Sequence, residues 1–183
     1  MHYWSMPNAL LVIDVQQGFD DAGYWGARNN PACEANIARL LAHWRRTGEP
    51  VVFVRHDSDE PDSPLRPDRP GNAFKDELTG EPDLLLTKRV NSAFYGDPDL
   101  HAWLQERRIG SLTICGITTN HCCETTARMA GNLGYETTFV IDATHTFDRG
   151  GLTADALAEA TAANLDEEFA AVRTTDEVTR SAG

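Results

Sequence analysis

Three residues that could share one reaction lie at or just beyond the ends of apolar runs. Asp14 follows Ala9-Leu10-Leu11-Val12-Ile13, and Lys88 follows Leu84-Leu85-Leu86-Thr87. Cys122 closes Gly116-Ile117-Thr118-Thr119-Asn120-His121-Cys122, just beyond the apolar run Leu112 to Cys115. A thiol with a pKa of about 8.5 is mostly protonated at neutral pH and needs activation before it attacks a carbonyl. A carboxylate in a desolvated crevice can take that proton and later hand it to a leaving amine. A lysine beside both offsets the negative charge they share. Glu124 to Leu133 reads as a helix, which puts Cys122 at a helix mouth, where unpaired N–H groups and the dipole favour a thiolate. Acid, amine and thiol in one crevice make a nucleophilic catalyst. The plainer alternative is a Lys88–Asp14 ion pair that only ties two strand ends together, although such buried pairs add little net stability.

The elements that must position these residues alternate between strand and helix, the pattern of a parallel sheet covered on both faces. Strands are expected at 9–14, 50–55, 83–87, 111–116, 136–142 and 169–174. The first helix should run from about Pro31 to Arg46, because Ile37, Leu40, Leu41 and Trp44 recur at helical spacing and Gly48 can end it. Leu100, Trp103 and Leu104 mark a second helix. A third begins near Cys122, with Cys122, Met129 and Leu133 on one side. Helices at 153–168 and 176–180 complete the series. Pro61, Pro64, Pro67 and Pro70 make 57–71 irregular. The expectation is one three-layer α/β/α, Rossmann-like domain over 1–183 with a mostly parallel six-stranded sheet. In such a sheet the carboxyl ends of the strands converge on one crevice. The first strand is not followed by GxGxxG or GxxxxGK[ST], so nucleotide binding is not expected.

Composition excludes other classes. The chain of 183 residues carries 16 basic against 28 acidic residues, a net charge of −12. Such a surface repels phosphate backbones and anionic lipid, so neither nucleic acid nor membrane is an expected partner. Met1 to Pro7 shows no signal pattern, which makes a cytoplasmic location the default. Cys33, Cys115, Cys122 and Cys123 form no disulfide framework and no zinc spacing. Cys33 and Cys115 read as packed core thiols.

Taken together, the motifs resemble the isochorismatase-like cysteine hydrolase superfamily. Asp14 with Gln16 and Phe19 matches the first motif of that family, and Thr87-Lys88-Arg89 followed by Asn91-Ser92-Ala93-Phe94 matches its lysine motif. Gly116 to Cys122, then Cys123-Glu124-Thr125-Thr126-Ala127, matches its cysteine motif, and Val140-Ile141-Asp142-Ala143 the strand that follows. The match extends from about residue 8 to 175. The resemblance implies an amidohydrolase of small molecules in which Asp14, Lys88 and Cys122 are catalytic. It implies a cis peptide at Ile117-Thr118, with the Thr118 and Cys122 amides forming an oxyanion hole. It also implies homo-oligomers, a dimer or higher, which could cover exposed apolar residues such as Trp4, Trp25 and Tyr95.

One departure bears on metal. The nicotinamidase branch holds its ion through Asp-x-His after the second strand plus a further histidine. Here that place reads Arg55-His56-Asp57-Ser58-Asp59, with no histidine between His56 and His101. No metal and no cofactor are expected, and His56 is expected to line the pocket. The true isochorismatases lack the cysteine, so Cys122 favours acyl chemistry. Phe19, Trp25, His56, Phe94 and Tyr95 are the expected substrate-binding residues, with Phe147 also near the entrance. This apolar set suits a compact, uncharged or aromatic amide. Thr119, Asn120 and His121 more naturally shape the turn and cap the helix, and Cys123 packs behind Cys122. The reading from another class is a thiol redox sensor or an idle binding scaffold, which would have no use for an acid able to protonate an amine.

Overall fold

The computed structural model describes residues 6–180; Trp4 lies outside them. The strands are β1 (Asn8–Ile13), β2 (Val51–His56), β3 (Leu84–Lys88), β4 (Ser111–Ile117), β5 (Glu136–His145) and β6 (Ala171–Arg173). The helices are α1 (Ala22–Trp25), α2 (Cys33–Thr47), α3 (Leu100–Glu106), α4 (Glu124–Asn132), α5 (Ala154–Leu165) and α6 (Thr175–Thr179). All strand pairings are parallel, in the order β3-β2-β1-β4-β5-β6. This is the three-layer Rossmann-like architecture that the alternation predicts.

Period-two alternation divides each central strand between two cores. Ala9, Leu11 and Ile13 face one way, packing with Leu100, Trp103 and Leu104 of α3, Ala127 and Ala130 of α4, and Leu165 of α5. Leu10 and Val12 face the other way, toward Ile37, Leu40, Leu41 and Trp44 of α2, with Val178 of α6 packed against them. At roughly 1.5–3 kcal/mol for each fully buried large apolar side chain, these two layers are what hold the strand ends in place. Gly48 closes α2 in the left-handed conformation, φ 74, as its place after the periodic residues predicts.

Two local departures shape the crevice. The chain after β4 winds through a π-turn, Thr119–Cys123, before α4 begins. The wider turn shifts the helical phase, so the buried face of α4 is Thr126, Ala127 and Ala130. Leu133, expected on the side of Cys122, is instead exposed. The other departure is a register shift between β4 and β5: Ile114 pairs with Phe139, but Gly116 pairs with Thr144. The extra residues prolong β5 to His145, beyond the expected end at Asp142. Such bulges re-aim a strand end.

Candidate active site

Asp14, Lys88 and Cys122 meet where the carboxyl ends of β1, β3 and β4 converge. Asp14 follows β1 with φ 53, a left-handed conformation uncommon outside glycine. Its N–H bonds Val54 O at 2.9 Å, one last rung of the β1–β2 ladder, and the chain then turns away. Lys88 ends β3 and stands in register with His56 at the end of β2. Cys122 is presented by the π-turn, which a hydrogen bond of 2.8 Å from Thr119 to the Thr144 hydroxyl ties to the end of β5. The peptide Ile117-Thr118 is cis.

The amine is the hub. Lys88 Nζ lies 2.8 Å from Asp14 Oδ2, 3.3 Å from Cys122 Sγ and 3.0 Å from His56 Nδ1. Asp14 is 0%, Lys88 2% and Cys122 8% exposed, so these charges interact across a poorly screened site. Asp14 Oδ1 has no hydrogen-bond partner among the described residues and is buried. Desolvation opposes a charged Lys88, yet the neighbouring Asp14 and Cys122 raise its pKa. Burial, reinforced by Asp14, pushes the Cys122 thiol up despite the opposing pull of Lys88. The thiolate-favouring pull of the lysine is thus opposed by burial and by the neighbouring carboxyl. Lys88 Nζ bridges the Asp14 carboxyl and the Cys122 sulfur.

Asp14, His56 and Cys122 offer ligand atoms within 4.8 Å of one another, a spacing compatible with a metal ion. Lys88 Nζ is within 3.3 Å of all three. An ammonium already stands where a cation would bind, so the donor set does not fit a metal.

Above the triad lies a cavity of about 420 Å³, within the range of small-molecule sites. Phe19, Trp25 and Phe147 form its aromatic wall. The Trp25 ring lies 4.8 Å from Phe19 and 5.6 Å from Phe147, centroid to centroid. The wall is fixed from behind: Asn29 Oδ1 accepts from Thr146 N–H, Asn30 Nδ2 donates to Asp142 O and Thr144 O, and Trp25 Nε1 donates to Gly18 O. Trp25 is thus a pocket residue and not exposed surface.

His56, Thr118 and Cys122 line the cavity as expected, but Phe94 and Tyr95 do not. The 3₁₀ turn Ala93–Tyr95 is held by Ala93 N–H on Thr126 Oγ1. This turns Phe94 onto Tyr135, 5.9 Å between ring centroids, and leaves Tyr95 69% exposed. Asn91, Asn120 and Thr146 also line the cavity; the sequence expects Asn120 only to shape the turn and cap the helix, and does not place Asn91 or Thr146 there. Asn91 Oδ1 is 3.8 Å from Cys122 Sγ, and Thr146 Oγ1 donates to Asn120 Oδ1 at 2.5 Å. Asn91 does fall inside the Asn91-Ser92-Ala93-Phe94 motif, a signal that could have found it. Asp148 and Arg149 add charge at the exposed rim, so the pocket is less uniformly apolar than its aromatic residues suggest. His121 also faces the cavity. Burial and the nearby Arg149 lower its pKa.

A model of the isochorismatase domain matches residues 8–177. The chain belongs to the isochorismatase family. It is 40% identical over 176 residues to an uncharacterized isochorismatase family protein, YrdC, of Bacillus subtilis, with 93% of each chain covered. It is 30% identical to the ureidoacrylate amidohydrolase RutB of Variovorax paradoxus, covering 95% of this chain and 81% of that one. Among solved structures, a hydrolase of the isochorismatase family from Chromobacterium violaceum superposes with a TM-score of 0.89 at 38% identity, covering 98% of this chain and 95% of that one. The family member described here is accordingly an enzyme, a hydrolase. Among the described residues, no helix is long and apolar enough to cross a membrane.

Proposed function

We propose that the protein is a metal-independent cysteine hydrolase that cleaves the C–N bond of a small amide through a thioester on Cys122. The observation that carries this reading is the position of Lys88 Nζ, within hydrogen-bonding reach of both Asp14 and Cys122 at the floor of the cavity. In the first half-reaction the thiol proton passes to Asp14 as sulfur attacks the carbonyl. The same proton then goes from Asp14 to the departing nitrogen as the C–N bond breaks. Water enters, Asp14 takes its proton, and hydroxide attack releases the carboxylic acid and restores the thiol. Lys88 keeps its charge throughout and stabilises whichever partner is anionic. The Thr118 and Cys122 amides are the oxyanion hole of this scheme; both residues line the cavity. The aromatic wall favours a flat substrate. RutB, an amidohydrolase by name, supports C–N cleavage. Four unpaired cysteines support action in the reducing cytoplasm.

The test is an amide panel read by ammonia release, with Cys122→Ala as blank and hydroxylamine added to intercept the acyl group. Hydroxamate formation and a quenched adduct on the Cys122 peptide are expected. Turnover that survives in Cys122→Ala would refute the thioester.

A further inference from the structure

A lysine ammonium carries three N–H donors and no acceptor. Lys88 Nζ has three acceptors within reach, Asp14 Oδ2, His56 Nδ1 and Cys122 Sγ, and its side chain is closed to solvent. Each donor is therefore used, and His56 Nδ1 must be the accepting nitrogen. A neutral imidazole that accepts at one nitrogen carries its proton on the other. His56 lines the cavity, and its Nε2 has no partner among the described residues. The ring is also held in place. His56 and Lys88 are register partners, so both side chains leave the same face. The His56 N–H donates to Gln16 Oε1 at 2.9 Å, and the His56 carbonyl accepts from Gln16 Nε2 at 3.0 Å. Gln16 Nε2 also donates to Asn72 O, and Asn72 Nδ2 to Leu65 O, which fastens the proline-rich segment against the same strand end.

We propose that His56 is a fixed, neutral hydrogen-bond donor whose Nε2–H selects amides bearing an acceptor atom beside the scissile carbonyl, such as a second carbonyl oxygen or an aromatic nitrogen. The substrate half of this inference rests on the hydrolase reading; the tautomer does not. Burial and then the Lys88 charge lower the His56 pKa, outweighing Asp14, Asp57 and Asp59, which all raise it. A ring kept neutral donates at Nε2 without becoming a competing acid. The geometry also gives His56 a role in this chain that needs no metal.

Two measurements decide it. The first is two-bond proton–nitrogen correlation on ¹⁵N-histidine-labelled protein, with His56 assigned by its loss in His56→Gln. The expected pattern is Nε2–H with bare Nδ1 at pH 8, persisting below the ordinary imidazole value. The Nδ1–H tautomer, or titration near the ordinary value of about 6.5, overturns the proposal. The second compares amide pairs that differ only in the adjacent acceptor. His56→Leu leaves one Lys88 donor unpaired and should lower kcat for both members alike, but it should raise KM of the acceptor-bearing member at least tenfold more than that of its partner. His56→Gln, which keeps an N–H at similar reach, should restore most of the KM. Equal changes in KM for both members would make His56 only a partner of Lys88 and overturn the proposal. If the wild-type protein cleaves no amide at all, the hydrolase reading falls, and the tautomer alone still decides whether His56 is a donor.

Discussion

Replacing Lys88 with methionine removes the cation from the centre of the site while keeping much of its volume. At 2.8 Å and an effective dielectric of 20, the Lys88–Asp14 attraction is about 6 kcal/mol. Desolvation of both groups offsets much of it, so the pair adds little net stability. The single substitution is a different matter, because it leaves a carboxylate at 0% exposure with no counter-ion. Breaking a buried pair from one side costs about 3–5 kcal/mol. For a chain of this size that corresponds to a melting temperature lower by about 6–20 °C. Lys88→Met should therefore melt that much earlier in calorimetry at pH 7.5, remain folded at 25 °C, and show no turnover. Asp14→Asn combined with Lys88→Met should recover several degrees, because the orphaned charge is gone. Melting of Lys88→Met within about 2 °C of wild type would refute this account. So would a double variant no more stable than the single one.

Gly116→Ala should abolish activity and yield little folded protein, checked by soluble expression and circular dichroism, since φ 131 disfavours a side chain and a Cβ would overlap Ile13 O beside Asp14. His145 is fully buried with both ring nitrogens unpartnered among the described residues. Burial first, then Arg28, holds its pKa down at about 3. The unfolded chain takes up that proton below about pH 6.5 and the folded one does not, so stability should fall between pH 6.5 and 3; His145→Phe should flatten that slope in urea titrations. Exhaustive chelation should leave turnover and melting temperature unchanged, since Lys88 fills the donor set; loss of both with released metal would contradict the geometry. Light scattering at micromolar concentration should show at least a dimer, covering Tyr95, Val90 and Leu152, which are each at least half exposed; a monomer would count against it.

The triad was legible because parallel strands rich in Leu, Ile and Val end abruptly at Asp14, Lys88 and the segment before Cys122. A strand end is where period-two apolar runs stop, and the sheet brings such ends together. The order of strands and the sides of α2 and α3 followed from the same periodicities. The π-turn was not legible, because one residue of slip leaves no compositional mark and helical spacing simply resumes after it; Leu133 was misplaced for that reason. The extension of β5 depends on a register shift against β4, a property of two strands and not of one. Phe94 and Tyr95 looked like pocket residues because they follow the lysine motif closely. Their turn is held by local bonds to Ser92 and by a bond from Ala93 to Thr126 on α4, far away in sequence. The upward push of burial on the Cys122 thiol also escaped the sequence, since only the fold creates it.

The central β1–β4 pairing joins two chain segments that meet only through folding. Everything from β1 to α3 supplies Asp14 and Lys88; everything from β4 onward supplies Cys122. A chain cut between Glu106 and Ser111 would divide the proposed nucleophile from the proposed base, and each piece alone should be chemically silent. Activity regained on mixing them would report the docking of those pieces directly, making this enzyme a natural starting point for a split reporter.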